Sequence, residues 1–207
     1  RSTPPLWRRP EPLPGSVETP RLVVRWYQDG DAEALHQAVH PQLEAYLPLL
    51  PRAAVAHATV DDSLATIRSF EQGRAKLIAP DFVMGTFDRS TGELVGGTGL
   101  HRIAPEIAEA EIGYWIRPER RGEGLCAEAT AGLISAAFDA WGFRRIRIHC
   151  AGSNLASQRV PEKLGIVLEG RERKSRWVDG IGYDDHLTYG VLASEWDAER
   201  SRVHSPT

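Results

Sequence analysis

The sequence is poor in sulfur and has no long apolar run. Its 207 residues include two cysteines and one methionine. Two cysteines are too few for a disulfide framework and fit a reducing compartment, so we expect a cytoplasmic protein. Neither cysteine belongs to a C-x-x-C pair and the seven histidines are scattered, so no metal site is expected. No apolar segment approaches the roughly 18 residues that span a membrane, and the first residues lack a signal-peptide pattern.

The chain also lacks a large excess of either charge. Its formal net charge is −3 at pH 7, so the basic face that nucleic-acid binding requires is not expected.

The length and a hydrophobic share of 42% suit one domain with its own core. Prolines in residues 1–15 predict an extended tail, with a partner-binding arm as the alternative. We assign the domain to residues 16–198 and a polar C-terminal tail to 199–207.

Short apolar patterns alternate between strand and helix periodicity, which predicts helices packed on a mixed sheet. The predicted strand Leu94–Leu100 contains three glycines, Gly96, Gly97 and Gly99. Glycines inside a strand indicate a bulge or a close approach of another backbone. The predicted strands are Arg21–Trp26, Phe82–Phe87, Leu94–Leu100, Glu109–Arg117, Phe143–Ala151, Ile166–Val178 and Tyr183–Leu192. The predicted helices run from Asp29 or Asp31 to His40, from Asp61 or Asp62 to Ala75, from the turn at Gly124 to Gly142, and from Asn154 to Leu164.

The stretch Glu109–Ala129 organises the chain. An apolar strand, Ile112–Ile116, stops at Pro118, and a basic glycine turn, Arg120–Gly124, leads into an alanine-rich helix. Glycines let a ligand approach the backbone, the turn N–H groups point at it, and the helix dipole favours negative charge. The stretch therefore predicts a pyrophosphate cradle.

Two common pyrophosphate motifs fit this cradle badly. Gly122–Ala127 matches the G-x-G-x-x-[GA] pattern, but residues 118–121 separate the strand from the first glycine. The next strand ends in His149, Cys150 and Ala151, without the carboxylate that would hold a ribose. A Walker A loop is excluded because no Gly-Lys-Ser/Thr is present. A nucleotide-dependent oxidoreductase is therefore disfavoured.

The turn resembles the [QR]-x-x-G-x-[GA] acetyl-CoA loop of the GNAT N-acetyltransferases, in the form RGEGLC at residues 121–126. The preceding IGYWI (112–116), the following AEA (127–129), and NLAS (154–157) with EKLG (162–165) extend the similarity. The Asn-x-x-Ser spacing, the Tyr46–Pro51 segment and Glu195-Trp196 resemble the ribosomal-protein N-terminal acetyltransferase (RimJ/RimL-type) branch. The similarity covers about residues 18–197.

The resemblance implies an α/β (α+β) GNAT-like fold. Its sheet would be mixed, mostly antiparallel, of about six or seven strands and splayed at the cofactor site, with about four helices on its faces. It implies acetyl-CoA as the cofactor, with the turn on the pyrophosphate and a strand edge on the pantetheine arm. Asn154 would bind that arm, with a pure helix cap as the alternative. The expected cofactor-binding residues are Tyr114, Trp115, Ile116, Arg121, Gly122, Glu123, Gly124, Leu125, Cys126, Asn154 and Ser157.

Two residues depart from the family pattern. Cys126 stands where glycine or alanine is usual; it is small enough to fit, and a covalent role is disfavoured because no base is paired with it. Pro161 stands where many members carry a tyrosine that hydrogen-bonds the departing thiolate. Proline also lacks an N–H, which frees the Ser157 carbonyl. The branch resemblance implies Ser157 as the catalytic partner of the thiolate.

The base required depends on the acceptor amine. A protein α-amino group has a pKa of about 7.7–8 and a lysine side chain one near 10.4, so an N-terminal substrate needs little base assistance. Glu111, acting through water, is the predicted catalytic base. The alternatives for the base are Glu109, on the same face as Glu111, and His101. Each of these two is also explained as an ordinary structural or surface side chain. The Arg171–Arg176 charge run is expected on the outer face of a strand, with contact to the adenosine 3′-phosphate or an acidic substrate as the alternative.

The sequence therefore predicts an acetyl-CoA-dependent N-acetyltransferase. The branch resemblance favours a protein N-terminal amine as acceptor; a small-molecule amine (an antibiotic, polyamine or amino acid) and a non-catalytic CoA-binding sensor are the alternatives. Pro41–Pro51, the second helix and the Val178–Asp185 turn are expected to form the acceptor pocket. The expected partners are the amine substrate and, as an open alternative, a second copy of the chain in a homodimer. Neither nucleic acid nor a membrane is expected.

Overall fold

The computed structural model describes residues 6–196, except 12, 14, 43–56, 77–79 and 179. Within them lie four α-helices and eight strands of one sheet, so the predicted α/β fold is confirmed. The strands are β1 (Ser16–Glu18), β2 (Leu22–Trp26), β3 (Phe82–Asp88), β4 (Leu94–Ala104), β5 (Glu109–Ile116), β6 (Arg145–Ala151), β7 (Val167–Val178) and β8 (Gly182–Leu192). The helices are α1 (Ala32–Val39), α2 (Val60–Ala75), α3 (Leu125–Asp139) and α4 (Leu155–Lys163). No helix in these ranges is long and apolar enough to cross a membrane.

The sheet changes from antiparallel to parallel pairing at its middle. Its order is β1-β2-β3-β4-β5-β6-β8-β7, and every neighbouring pair is antiparallel except β5 with β6. A parallel pair needs a crossover connection, and α3 supplies it. The three-residue strand β1 is the element that the sequence did not indicate, because so short a run carries no readable period.

Helix α2 starts differently from the prediction, whereas α1 starts directly after Asp31, as predicted. Thr59 caps α2: its hydroxyl accepts from Asp62 N at 3.1 Å, and the Asp62 carboxylate accepts from Thr59 N at 2.9 Å. This reciprocal box starts the helix at Val60 rather than at an aspartate. Asp31 directly precedes α1, but its carboxylate pairs with Arg25 at 2.7 Å and caps no helix N–H.

The glycines of β4 are required for close packing, as predicted. A Cβ on Gly96 or Gly97 would overlap Trp115 of β5. The β4–β5 register also shifts between His101 and Ala104, which is a bulge. Both features lie beside the strand on which the predicted site depends.

Helix α3 packs on the sheet through a stripe that is buried throughout, Leu125, Ala129, Leu133 and Ala137, and Trp141 is buried just beyond its C-terminus. The N-terminal segment has neither helix nor strand in its described part, but it is anchored to this core. The Trp7 ring stacks on Phe143 with centroids 4.5 Å apart, and its Nε1 donates to the Trp141 carbonyl at 2.7 Å. A partly buried tryptophan with its N–H satisfied anchors the segment to the core.

Candidate active site

The sheet opens between β5 and β6. Their pairing ends where Glu111 lies opposite Arg147, whereas β5 continues to pair with β4 as far as Ile116. We call the resulting gap, between residues 112–116 and 148–151, the seam. Within the described strands, the β6-facing edge of residues 112–116 has no strand partner, so its N–H and C=O groups are available to an extended ligand. The predicted splay is therefore present.

The glycine turn has the geometry of an anion cradle. Gly122 and Gly124 have φ angles of +83° and +79°, which side chains rarely adopt. In the described part of the chain no side chain caps α3, so the N–H groups of its first turn are left for a ligand. A Cβ on Gly124 would lie 3.1 Å from Lys163 Nζ and 3.8 Å from Arg21 Nη2. Open backbone donors bordered by two cations fit the pyrophosphate of acetyl-CoA.

The two arginines before the turn have different surroundings. Arg120 makes ion pairs of 2.8–3.1 Å with Asp88, Glu93 and Glu123, and thereby ties the turn to the β3–β4 hairpin. Arg121 is exposed at the turn itself. Arg121 is therefore the better candidate for a phosphate contact, in line with its place in the motif.

A buried ion pair supports the cradle from behind, and the sequence interpretation missed it. Glu128 of α3 is 5% exposed and pairs with Arg21 at 2.6 Å, while Thr19 Oγ1 donates to the same carboxylate at 2.7 Å. Arg21 also donates from Nη1 to the Glu123 carbonyl at 3.1 Å. The signal that could have found it is a carboxylate inside an otherwise apolar stretch of helix.

Asn154 directly precedes α4 and Ser157 lies in its first turn, beside the seam. The Asn154 side chain accepts from Ser157 N at 3.1 Å, so Asn154 is an N-cap. Ser157 Oγ lies 3.4 Å from the Tyr114 hydroxyl of β5 and 3.3 Å from Cys150 Sγ of β6. Three polar groups from both sides of the seam therefore meet at one point.

Pro161 leaves the Ser157 carbonyl without its helical donor, and Tyr114 replaces that donor. The Tyr114 hydroxyl donates to the Ser157 carbonyl at 2.8 Å. Burial raises the pKa of Tyr114 well above its ordinary value, so the phenol keeps its proton for this bond. A side chain on β5 thus fixes the first turn of α4.

We expect Tyr114→Phe to lower the free energy of unfolding by about 1–2 kcal/mol, because it leaves the Ser157 carbonyl unsatisfied. In a Pro161→Ala background, the new N–H supplies the missing bond, so the same Tyr114→Phe change should cost less than about 1 kcal/mol. Urea denaturation of the wild type, both single variants and the double variant measures this coupling. Equal costs in the two backgrounds would show that the hydroxyl does not replace the proline's missing donor.

Glu109 and Glu111 share a face of β5 but differ in their contacts. Glu109 is 5% exposed and pairs with Arg145 at 2.6 Å and Arg147 at 2.8 Å, so both its oxygens are engaged. Glu111 is half-buried at the end of the β5–β6 pairing and accepts one bond, from Arg102 Nη1 at 3.0 Å. The geometry therefore favours Glu111 over Glu109 as a group that meets a substrate.

His149, which the sequence did not single out as a site residue, lies beside Glu111, and His186 contacts His149. His149 Nε2 is 3.6 Å from Glu111 Oε2, and His149 Nδ1 is 2.8 Å from His186 Nε2 and 3.1 Å from Thr188 Oγ1. Burial, followed by the neighbouring His186, Arg147 and Arg102, holds the pKa of His149 below its ordinary 6.5, although Glu111 raises it. Strand alternation alone places His149 on one face with Arg145 and Arg147, but it gives no indication of His186. His101, the other candidate base, faces Asp81 at 3.5 Å.

Other predictions concern single residues and segments. Burial raises the pKa of the Cys126 thiol to about 12, which keeps it protonated and fits a packing residue. Among the residues that the structure describes, no three His, Cys, Asp or Glu side chains converge as metal ligands. Of the predicted pocket wall Pro41–Pro51, residues 43–51 lie outside the described residues. The β7–β8 hairpin is described except for residue 179, and it presents an exposed Trp177 and Tyr183.

Comparisons with known proteins agree with this geometry. Residues 21–167 match a family model described as "Acetyltransferase (GNAT) domain". The chain is 30% identical over 178 residues to the uncharacterized N-acetyltransferase YoaA of Bacillus subtilis (strain 168), which covers 85% of this chain and 96% of YoaA. It is 33% identical over 100 residues to the ribosomal-protein-serine acetyltransferase of Escherichia coli (strain K12), covering 48% of this chain and only 55% of that enzyme. The solved structure of Mycobacterium smegmatis RimJ in complex with CoA-disulfide has the same fold, with a TM-score of 0.74 at 22% identity over 91% of this chain and 90% of RimJ. The chain therefore belongs to the GNAT acetyltransferase family and is an N-acetyltransferase of that family.

Proposed function

We propose that this enzyme transfers an acetyl group from acetyl-CoA directly to the N-terminal amine of a protein, in a ternary complex. The observation that carries the proposal is the seam. It runs from the cradle at Gly124 past the open edge of β5, with Ser157 at its α4 side and Glu111 on the opposite face. Two reactants could therefore meet inside the sheet, each reaching it from its own side.

The cofactor would be held along this path by backbone groups and cations. The first-turn N–H groups of α3, with Lys163, Arg21 and Arg121, would hold the pyrophosphate. The edge of Tyr114–Ile116 would hydrogen-bond the pantetheine arm as a short strand. When bound, acetyl-CoA supplies the acetyl thioester and the departing thiol.

Ser157 is our candidate for the group that meets the departing sulfur. Its Oγ can donate a hydrogen bond while Asn154 fixes its backbone and Tyr114 fixes its carbonyl. A thiol with a pKa near 8.5 needs no strong acid, so one hydrogen bond suffices. This hydrogen bond would replace the one made by the tyrosine that many family members carry at the position of Pro161.

The acceptor assignment rests on charge and on the relatives. Glu111 places a carboxylate beside the seam, which would attract an amine that arrives as an ammonium ion. An α-amino group with a pKa of about 8 is easily neutralised near pH 7.5, unlike a lysine. The E. coli relative is named for acetylation of a ribosomal protein, which supports a protein acceptor for this enzyme.

A thiol-release assay with acetyl-CoA tests the proposal. The acceptors are peptides with free or blocked N-termini, lysine-containing peptides, polyamines, amino acids and aminoglycosides. We expect turnover with free N-terminal peptides, lost on blocking, and Ser157→Ala should lower kcat by about tenfold to 100-fold with a much smaller effect on CoA affinity. Turnover with small amines alone would show that the acceptor is a small molecule rather than a protein. Tight CoA binding with no turnover on any amine would indicate a non-catalytic sensor.

A further inference from the structure

The face of the seam opposite Ser157 carries a group of polar side chains from three strands. We propose that His149 is the proton acceptor for the amine substrate, that Glu111 binds the incoming ammonium, and that His186 and Thr188 orient the His149 ring. The inference rests on the proposed amine acetylation and deepens it, because it assigns the base to an imidazole rather than to the carboxylate.

Strand register puts His149 where an acceptor would lie. Glu111 and Arg147 are the last paired residues of β5 and β6. Two residues further along the same faces come Gly113 on β5 and His149 on β6, so they lie across the open seam from each other. Gly113 has no side chain, and a Cβ there would meet only His101, at 3.6 Å. This side of the seam therefore has room for an amine beside His149.

The two ring nitrogens of His149 have different partners, which sets their roles. Nδ1 is 2.8 Å from His186 Nε2 and 3.1 Å from Thr188 Oγ1, both within hydrogen-bond reach. A proton on Nδ1 that is shared with these groups leaves a lone pair on Nε2. Nε2 is 3.6 Å from Glu111 Oε2, too far for a direct hydrogen bond. An ammonium group over Gly113 can therefore donate to Nε2 and to the Glu111 carboxylate together.

The charges around the ring suit a base that must be neutral before it acts. Burial disfavours a positive ring, as do His186 from β8, Arg147 from β6 and Arg102 from β4, whereas Glu111 from β5 opposes them. Because these effects together hold the pKa of His149 below its ordinary 6.5, the ring is largely neutral at pH 7. Once protonated, it lies beside the Glu111 carboxylate, which stabilises the cation.

The proton balance is as follows. The substrate ammonium gives one proton to His149 Nε2, and the amine lone pair forms the new C–N bond as the C–S bond breaks. The nitrogen then loses a second proton, the departing sulfur gains one, and His149 releases its proton to solvent. One proton is released per acetyl group transferred, with no oxidant or metal required.

The experiment measures kcat by thiol release, with acetyl-CoA and the best acceptor peptide both saturating, from about pH 5.5 to about pH 9.5. We expect His149→Gln to lower kcat by about 100-fold or more at pH 7 and to move the acid limb from below pH 6.5 to the pKa of the α-amine, about 8. The deficit should shrink by about tenfold near pH 9.5, where the α-amine is already neutral. His186→Gln should shift the acid limb with a loss of about tenfold, and Glu111→Gln should raise KM for the amine more than it lowers kcat.

His36→Gln is the matched control, since that histidine lies on α1 with its Nδ1 3.1 Å from the His57 carbonyl; its acid limb should match the wild type. A His149→Gln variant with an unchanged acid limb, or with an equal deficit at every pH, would overturn the proposal. CoA affinity and the thermal midpoint show whether each variant is folded. If His149→Gln does not fold, the acid limb of the kcat profile of His186→Gln tests the proposal instead. A wild type that acetylates no amine would refute the proposed function instead, so the two failures are distinguishable.

Discussion

Gly124→Glu should raise the Kd for CoA by at least about 100-fold, a loss of about 2.7 kcal/mol in binding free energy. The new carboxylate would stand at the N-terminus of α3, between Lys163 and Arg21, where the pyrophosphate is expected. It would satisfy the cradle's donors from within the chain and repel the ligand's negative charge. The fold should survive, because the φ of +79° costs a side chain only about 1–2 kcal/mol.

Isothermal titration with CoA measures this loss, and Gly142→Glu is the matched control. Gly142 has a similar φ of +72°, and a Cβ there meets nothing within 4 Å. It introduces the same strain and the same charge at the opposite end of α3. Gly142→Glu should therefore bind CoA as the wild type does. Equal affinities for the two variants would mean that the cradle lies elsewhere on the chain.

The parts of the fold that were predicted correctly depend on residues close together in the sequence. The turn at Gly122–Gly124 and helix α3 each lie within one continuous stretch, so periodicity and turn chemistry suffice to find them. The Asn154 cap is equally local. Comparable local signals misplaced the start of α2, because Thr59, Asp61 and Asp62 are all acceptable caps and only the reciprocal bond with Asp62 decides among them.

The parts of the candidate site that were missed depend on sheet order. His149 and His186 are 37 positions apart and meet because β6 pairs with β8, a neighbour that follows it only after α4 and β7. Tyr114 was expected to contribute its backbone, yet its hydroxyl also completes α4 across the seam. A free carbonyl at Ser157 could be inferred from Pro161, but the donor that satisfies it could not.

The second large effect concerns Glu128, which joins the helix behind the cradle to the turn in front of it. Glu128→Ala should lower the free energy of unfolding by about 2–4 kcal/mol. The carboxylate is almost fully buried, and its loss removes an acceptor from Thr19 Oγ1, Arg21 N and the Arg21 guanidinium together. The Arg21 side chain is 32% exposed, so solvent relieves part of the unpaired charge and keeps the loss below that of a fully buried pair.

Urea denaturation measures this cost, and Glu119→Ala is the control, since the Glu119 side chain is 66% exposed and its 3.5 Å pair with Arg117 should contribute under about 1 kcal/mol. CoA affinity should fall as well in Glu128→Ala, by about tenfold, because an untethered Arg21 no longer holds the Glu123 carbonyl and the turn loses part of its preorganisation. A stability loss as small as that of Glu119→Ala would contradict the role of this pair. A full stability loss with unchanged CoA affinity would show instead that Glu128 supports the core, while the glycine turn keeps its shape through the Arg120 ion pairs alone.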